Sequence, residues 1–240
     1  MSVNEKMTAI REYTKGTEPL NLDDMAVSIP EVYGIGFAEG QAQGGGDYLP
    51  AVTEIKIPDW NLLDKQEVEL NLPLITNYAN KLQQEVLNTT VEYLIINGSK
   101  DGSITKCDYA FACDSTRQDK TLKRLTLNCD FSKCLNYGRT FYGLSSLEII
   151  DGEPLDFSGS IGNSNTFGYC NSLKEVRFKP QTIMVDIEFK HSGELTNETI
   201  QNIIDGLSDI GGYISWHSDV LSRITTEQFD QMTEKNWIFD

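Results

Sequence analysis

The sequence predicts an α/β fold in which short strands stack in parallel as a solenoid, and three observations predict it. The first is an internal repeat: AFACDSTRQDKTLKRLTL (110–127), TFYGLSSLEII (140–150) and TFGYCNSLKEVRF (166–178) are variants of one pattern. Each opens on Ala or Thr before Phe and carries a leucine followed three residues later by a second aliphatic, at Leu122/Leu125, Leu147/Ile150 and Leu173/Val176. The leucines step by 25 and then 26 residues, and a fixed period of this size marks an array in which each unit buries its apolar face on the next. The second observation is that strand-like runs recur at similar spacing on both sides of these copies. The third is that helical patterns appear only towards the two ends.

The elements follow in chain order. Met7, Ile10 and Tyr13 give a first short helix, which Lys15-Gly16 ends. Asn21 or Asp23 caps a second through Met25 to Ile29, and Pro30 opens a third running towards Gln41. These pieces are too short to bury a core alone, so residues 1–43 read as a helical attachment or oligomerisation module. Gly44-Gly45-Gly46 begins a linker over 44–50, because glycine loses the most entropy on being fixed. The repeat domain then spans 51–240, with its clearest repeats at 108–183. Its strand-like runs are VTEIKIP (52–58), EVELNLP (67–73) and VEYLIING (91–98) upstream, and MVDIEFK (184–190), YISWH (213–217) and NWIFD (236–240) downstream. Central residues Leu70, Ile95, Leu125, Ile149, Val176, Ile187, Ile214 and Ile238 set an array of about eight or nine parallel strands.

Residues 184–240 read as helical capping turns. Thr196 caps a helix whose apolar stripe is Ile200, Ile203, Ile204 and Leu207, with its stop at Gly211 and Gly212. Thr225 or Thr226 caps another, with Phe229 and Met232 facing inward. An array must cover its last apolar layer, so an atypical end is expected.

Charge narrows the partners. With 20 Lys+Arg against 36 Asp+Glu the formal charge is −16, which repels a nucleic-acid backbone and an anionic membrane alike. No run reaches the ~20 apolar residues that a membrane span needs, and Met1 to Thr14 lacks the apolar core of a secretory signal. The expectation is a chain made and kept in the cytosol, or one that leaves the cell by a route other than secretion. Cys107, Cys113, Cys129, Cys134 and Cys170 show no CxxC pair, and an odd, irregular set fits neither a disulfide framework nor a zinc site, so they read as structural thiols. His191 and His217 lie in no motif. The glycines of Tyr33 to Gly40 miss the dinucleotide fingerprint by a residue, and Asn97 to Ser103 reads as a solvated turn without the spacing of a calcium loop. No catalytic, cofactor-binding or metal residue is assigned, and no cofactor is expected.

The repeats, and TFGYCNSLKEVRFKP (166–180) most clearly, resemble the BspA-type leucine-rich repeat family. Residues 194–240 are similar to the closing segment of such proteins in bacterial and bacteriophage genomes. Residues 8–33, TAIREYTKGTEPLNLDDMAVSIPEVY, resemble a short module near the start of phage tail and baseplate-associated proteins. Asp114 to Asp119 is an excess over the repeat, and Tyr48 to Asn97 departs from it. The resemblance implies a leucine-rich-repeat solenoid on a phage virion, partnered with tail or baseplate proteins and with a host-surface protein or glycan. It also implies a homotrimer, with Met7, Ile10, Tyr13, Val27 and Val32 as candidate assembly contacts.

Side chains alternate along a strand, so inward Leu122, Leu125 and Leu127 leave Lys123 and Thr126 outward, with Glu148, Lys174, Arg177 and Lys179 as their counterparts. These form a candidate binding face, against the plainer reading of gatekeeper charges on a solvated sheet. Tyr109, Tyr137, Tyr142, Tyr169 and Trp216 read as loop-tip aromatics able to stack on sugar rings. Phe111, Phe141 and Phe167 recur at equivalent points and read as core. A non-enzymatic virion binding protein is the leading reading. A bacterial adhesin or protein-interaction module is the alternative, and a carboxylate-based hydrolase the third.

Overall fold

The computed structural model of the chain describes residues 66–80, 82, 91–113 and 121–240. Contacts divide the chain into Met1–Pro50 and Ala51–Asp240, and every described residue lies in the second unit. The expected N-terminal helices with their assembly contacts Met7, Ile10, Tyr13, Val27 and Val32, the triglycine linker, the strand at 52–58 and the insertion at 114–119 lie outside the described residues.

The described residues form an α/β structure of short parallel strands in two sheets with three helices. The first sheet runs β1 (Glu67–Leu72), β2 (Tyr93–Gly98), β3 (Arg124–Asn128) and β4 (Ile149–Gly152), in that order and all parallel. The second runs β5 (Ile187–Phe189), β6 (Gly212–Trp216) and β7 (Trp237–Phe239), again parallel. Register follows the apolar alternation. Val68, Leu94, Leu125 and Ile150 stand in one row, and Leu70, Ile96 and Leu127 in the next. A slip of one residue would turn the whole set outward. Leu70 therefore pairs with Ile96, not with Ile95, which is half-exposed.

One expected strand is not built as such. Around Val176 only Glu175 and Phe178 make single parallel bridges, to Ile149 and Leu155. The reason is local: Asn202 takes both backbone groups of Phe178, accepting from its N–H at 2.7 Å and donating to its carbonyl at 3.4 Å. A side chain thus supplies what a strand neighbour would have supplied.

The helices sit where their caps put them. Helix α1 (Asn197–Gly206) starts at Thr196, whose hydroxyl accepts from the Thr199 N–H at 3.1 Å, and it buries Ile200, Ile203 and Ile204. It ends earlier than Gly211 and Gly212 suggest: Leu207 is already extended, and Lys235 donates to the carbonyls of Ile204, Asp205 and Leu207 at 2.8–3.2 Å. Gly211, at φ +82°, instead turns the chain into β6. Helix α2 (Ser218–Leu221) is one turn, capped by His217. Helix α3 (Thr226–Glu234) opens on a reciprocal capping box between Thr225 and Gln228, and buries Met232.

Aromatic rings hold the turns together. Phe111, Phe141, Phe167, Phe189 and Trp216 stack as one buried column, with centroids 5.8, 5.3, 4.9 and 5.7 Å apart and planes within 20°. Burying each ring contributes about 1.5–3 kcal/mol, and offset stacking adds about 0.5–1.5 kcal/mol per pair. The column confirms the core reading of the three phenylalanines. It also corrects Trp216, which is its buried last member and not a loop tip. Tyr137 is corrected in the same way: it is buried, with its hydroxyl between the carbonyls of Phe131 (2.7 Å) and Asp156 (2.9 Å). The threonines before Phe141 and Phe167 are buried too. Thr140 reaches the carbonyls of Cys107 and Tyr137, and Thr166 those of Tyr137 and Asn163, so each ties two turns. All five cysteines are buried thiols. Burial lifts the Cys170 thiol to about 12.

Candidate functional site

The seven candidate face residues fall into three groups. The first is a row of alternating charge just before the strands. Lys123 pairs with Glu92 at 2.7 Å, and Lys174 pairs with Glu148 at 2.9 Å and reaches Glu194 at 3.9 Å. Backbone bonds fix the order: Lys123 N–H donates to the Glu92 carbonyl, Glu148 to Lys123, and Lys174 to Glu148, each at 2.8–2.9 Å. Side-chain hydrogen bonds lower the Glu92 carboxyl, from Lys123 and then Gln66, and the Glu92 bond raises Lys123. Lys123, Glu148 and Lys174 therefore largely neutralise one another, as gatekeeper charges do. Arg177 is exposed, with no ion pair among the described residues.

The second group surrounds a surface cleft of about 210 Å³ lined by Lys100, Asp130, Phe131, Glu153, Asp156 and Lys179, among others. Lys179 pairs with Asp156 at 3.1 Å and Lys100 with Glu153 at 3.3 Å. Burial alone would raise the Asp156 carboxyl most, but the Ser158 hydroxyl and amide together with Lys179 outweigh it, and the net shift is downward. Asp156 belongs to a recurring corner. Asp101, Asp130 and Asp156 each accept, through Oδ1, the N–H of the serine two residues on, at 2.9–3.0 Å. The signal lies in the sequence as Asp-x-Ser at 101–103, 130–132 and 156–158, a second repeat beside the leucine pattern. Strand faces carry a third ladder, in which Asn128 donates to Asn97 at 2.8 Å and Asn97 to Asn71 at 2.9 Å. Among the described residues no group of His, Cys, Asp and Glu is placed to hold a metal ion.

The third group contains Tyr142 and Tyr169. Tyr109, Arg139, Tyr142, Tyr169 and His191 form a continuous row of partly or fully exposed side chains. The Arg139 guanidinium lies 5.4 Å from the ring centroids of both Tyr109 and Tyr142, and its Nη1 donates to the Tyr109 hydroxyl at 3.0 Å. Tyr142 meets Tyr169 edge to face at 5.2 Å, and Tyr169 stacks on His191 at 4.2 Å. Partial burial lowers the His191 imidazole.

The backbone that presents this row is unusual. Tyr109, Arg139, Asn165 and Tyr169 all have φ between 54° and 59°, in the left-handed region. Such conformations cost of order 1–3 kcal/mol at a non-glycine residue and cluster where function keeps them. Tyr109 N–H donates to the Gly138 carbonyl and Arg139 N–H to that of Ser164, so the first three stand at equivalent points of successive turns. Gly168 makes room for the row, since a Cβ there would lie 2.8 Å from Tyr142 Cδ2. Arg139 and His191 are the members that sequence reasoning missed. Arg139 stands two residues before Phe141, the place that Tyr109 holds before Phe111, and that offset was the available signal.

No family model matches the chain, and neither a curated protein nor a solved structure matches it.

Proposed function

We propose that this chain is a non-enzymatic attachment protein of a phage virion. In this reading residues 1–43 dock on a tail or baseplate, 44–50 give slack, and the repeat domain is a leucine-rich-repeat solenoid of the BspA type that meets a host-surface protein or glycan. The strands support the solenoid reading: they recur in parallel from β1 to β4, and the aromatic column continues from Phe167 to Phe189 between one sheet and the next. The observation that carries the binding reading is the exposed aromatic and cationic row from Tyr109 to His191. Tyr and Arg are enriched at recognition hot spots, Tyr because it brings contact area and a polar tip with few rotamers to freeze, and Arg because its planar fork brings several directional donors. The charge row, whose members neutralise one another, has no such surplus. Immunogold labelling of purified particles tests the assignment, together with blocking of host adsorption by an antibody to the repeat domain. Label at the tail and blocked adsorption are expected. A chain absent from particles would overturn the virion assignment.

A further inference from the structure

Arg139 makes no ion pair among the described residues. Six cations of the described residues, Lys100, Lys123, Arg124, Lys174, Lys179 and Lys190, lie within ion-pair distance of a carboxylate, whereas Lys106, Lys133, Arg177, Arg223 and Lys235, like Arg139, do not among the described residues. Arg139 has none among the described residues, although the chain carries sixteen more acidic than basic charges. What sets Arg139 apart is that its guanidinium lies 5.4 Å from the centroids of two rings, with one nitrogen fixed by the Tyr109 hydroxyl. Its remaining N–H groups make no hydrogen bond among the described residues. A guanidinium offers five donors in a planar fork that matches a carboxylate through two parallel bonds. Contacts with two rings and the bond to the Tyr109 hydroxyl pre-organise that fork, which removes much of the entropic cost of binding.

The neighbours define what carries the carboxylate. The hydroxyls of Tyr142 and Tyr169 make no hydrogen bond among the described residues, and both rings are half-exposed. Each offers a donor and acceptor beside an apolar ring, the combination that meets the hydroxyls and C–H face of a sugar. We propose that Tyr109, Arg139, Tyr142 and Tyr169 form a subsite for a carboxylated sugar, with the carboxylate on Arg139 and the sugar ring against Tyr142 and Tyr169. This names the ligand class within the attachment reading and rests on it. A polyanion is a poor occupant, because the charge of the whole chain repels it while a single carboxylate meets one local cation. An acidic peptide is also less well matched: backbone recognition uses a free sheet edge or a nest of N–H groups, and the row offers side-chain hydroxyls.

The test titrates the full chain with two pairs of sugars: sialyllactose beside lactose, and a uronic-acid oligosaccharide beside its carboxyl-reduced form. Binding at least about tenfold tighter for one carboxylated member than for its neutral counterpart is expected, and which pair responds identifies the source of the carboxylate. R139K should fall to the neutral level although it keeps the charge, since a point charge does not reproduce the fork. Y142A should weaken both members of the responding pair. Circular dichroism and melting of each variant check the fold, and the wild-type comparison needs no variant at all. Equal binding of charged and neutral sugars, no binding of either pair, preference for an acidic peptide over both, or an unchanged R139K would each overturn the proposal. These failures are separable from that of the attachment reading: a chain present on particles whose antibody blocks adsorption, yet which binds no carboxylated sugar, keeps the attachment role and loses this ligand.

Discussion

At the scale of single residues, the corner aspartates show how a local pattern becomes a pH dependence. Asp101 accepts from the Ser99 hydroxyl and from Ser103, and these hydrogen bonds hold its carboxyl down at about 2, against 3.8 when free. A folded pKa below the unfolded one contributes stability above the unfolded value, and that contribution is lost as pH falls through the folded value. The melting temperature should therefore fall on acidification from pH 3.8 towards about 2, with Asp156, also shifted down, adding to the slope. Melting curves of D101N over that range check this: the variant should show a shallower fall than the parent, and an identical slope would show that the Ser99 and Ser103 bonds do not set it. The same scale explains two misplaced aromatics. Tyr137 and Trp216 have the polar tips of surface residues, but a turn residue's direction is set by the backbone around it. Tyr137 points inward because two carbonyls of neighbouring turns wait for its hydroxyl.

Elements in this protein are closed by side chains from elsewhere as much as by their own ends. The start of α1 was legible, since Thr196 at three residues before Thr199 is a local pattern, and T196A should cost about 1 kcal/mol. T196D should recover most of it, because a carboxylate also accepts the N–H and suits the positive end of the helix. The end of α1 was not legible. Three of its last carbonyls receive one ammonium group, from Lys235, 28 to 31 residues further on, and no local pattern announces such a partner. K235M should cost about 1–2 kcal/mol, less than the sum of three charged hydrogen bonds because water reaches the opened carbonyls. Chemical denaturation reads both effects; a K235M variant as stable as the parent would leave the early end of α1 to Leu207 alone. At β4 and beyond the same principle removed an expected strand, since Asn202 satisfied Phe178 before a neighbouring strand did.

Across the whole repeat unit the two sheets depend on a shared core. Phe189, in the first strand of the second sheet, touches Phe167 at 4.9 Å, Phe178 at 6.4 Å and Trp216 at 5.7 Å. Truncation of a buried phenylalanine costs about 3–5 kcal/mol through the cavity left behind. In the proposed solenoid, where contacts run mainly between adjacent turns, that loss acts first on the turns beside it. Hydrogen exchange of F189A should accordingly show β6 and β7 losing protection while β2 and β3 keep theirs. Uniform loss throughout would mean that the turns unfold as one block.

The sequence by itself determined the α/β class, the parallel direction and near-register of the strands, the burial of the first three phenylalanines of the column, and the Thr196 cap, and it narrowed the other cap to Thr225 or Thr226. All of these rest on period and alternation, which are properties of the chain read along its length. Only the tertiary structure decided which polar and aromatic residues share a surface. Lys123, Glu148 and Lys174 looked like free charges, and each met an opposite charge one turn away. Arg139 drew no attention, and the fold set it against two tyrosine rings with no carboxylate at ion-pair distance among the described residues. The physical reason is that most of these ion pairs and ring contacts join residues some 22 to 31 positions apart in the chain, and whether they form depends on register and side-chain direction, which exist only once the chain is folded.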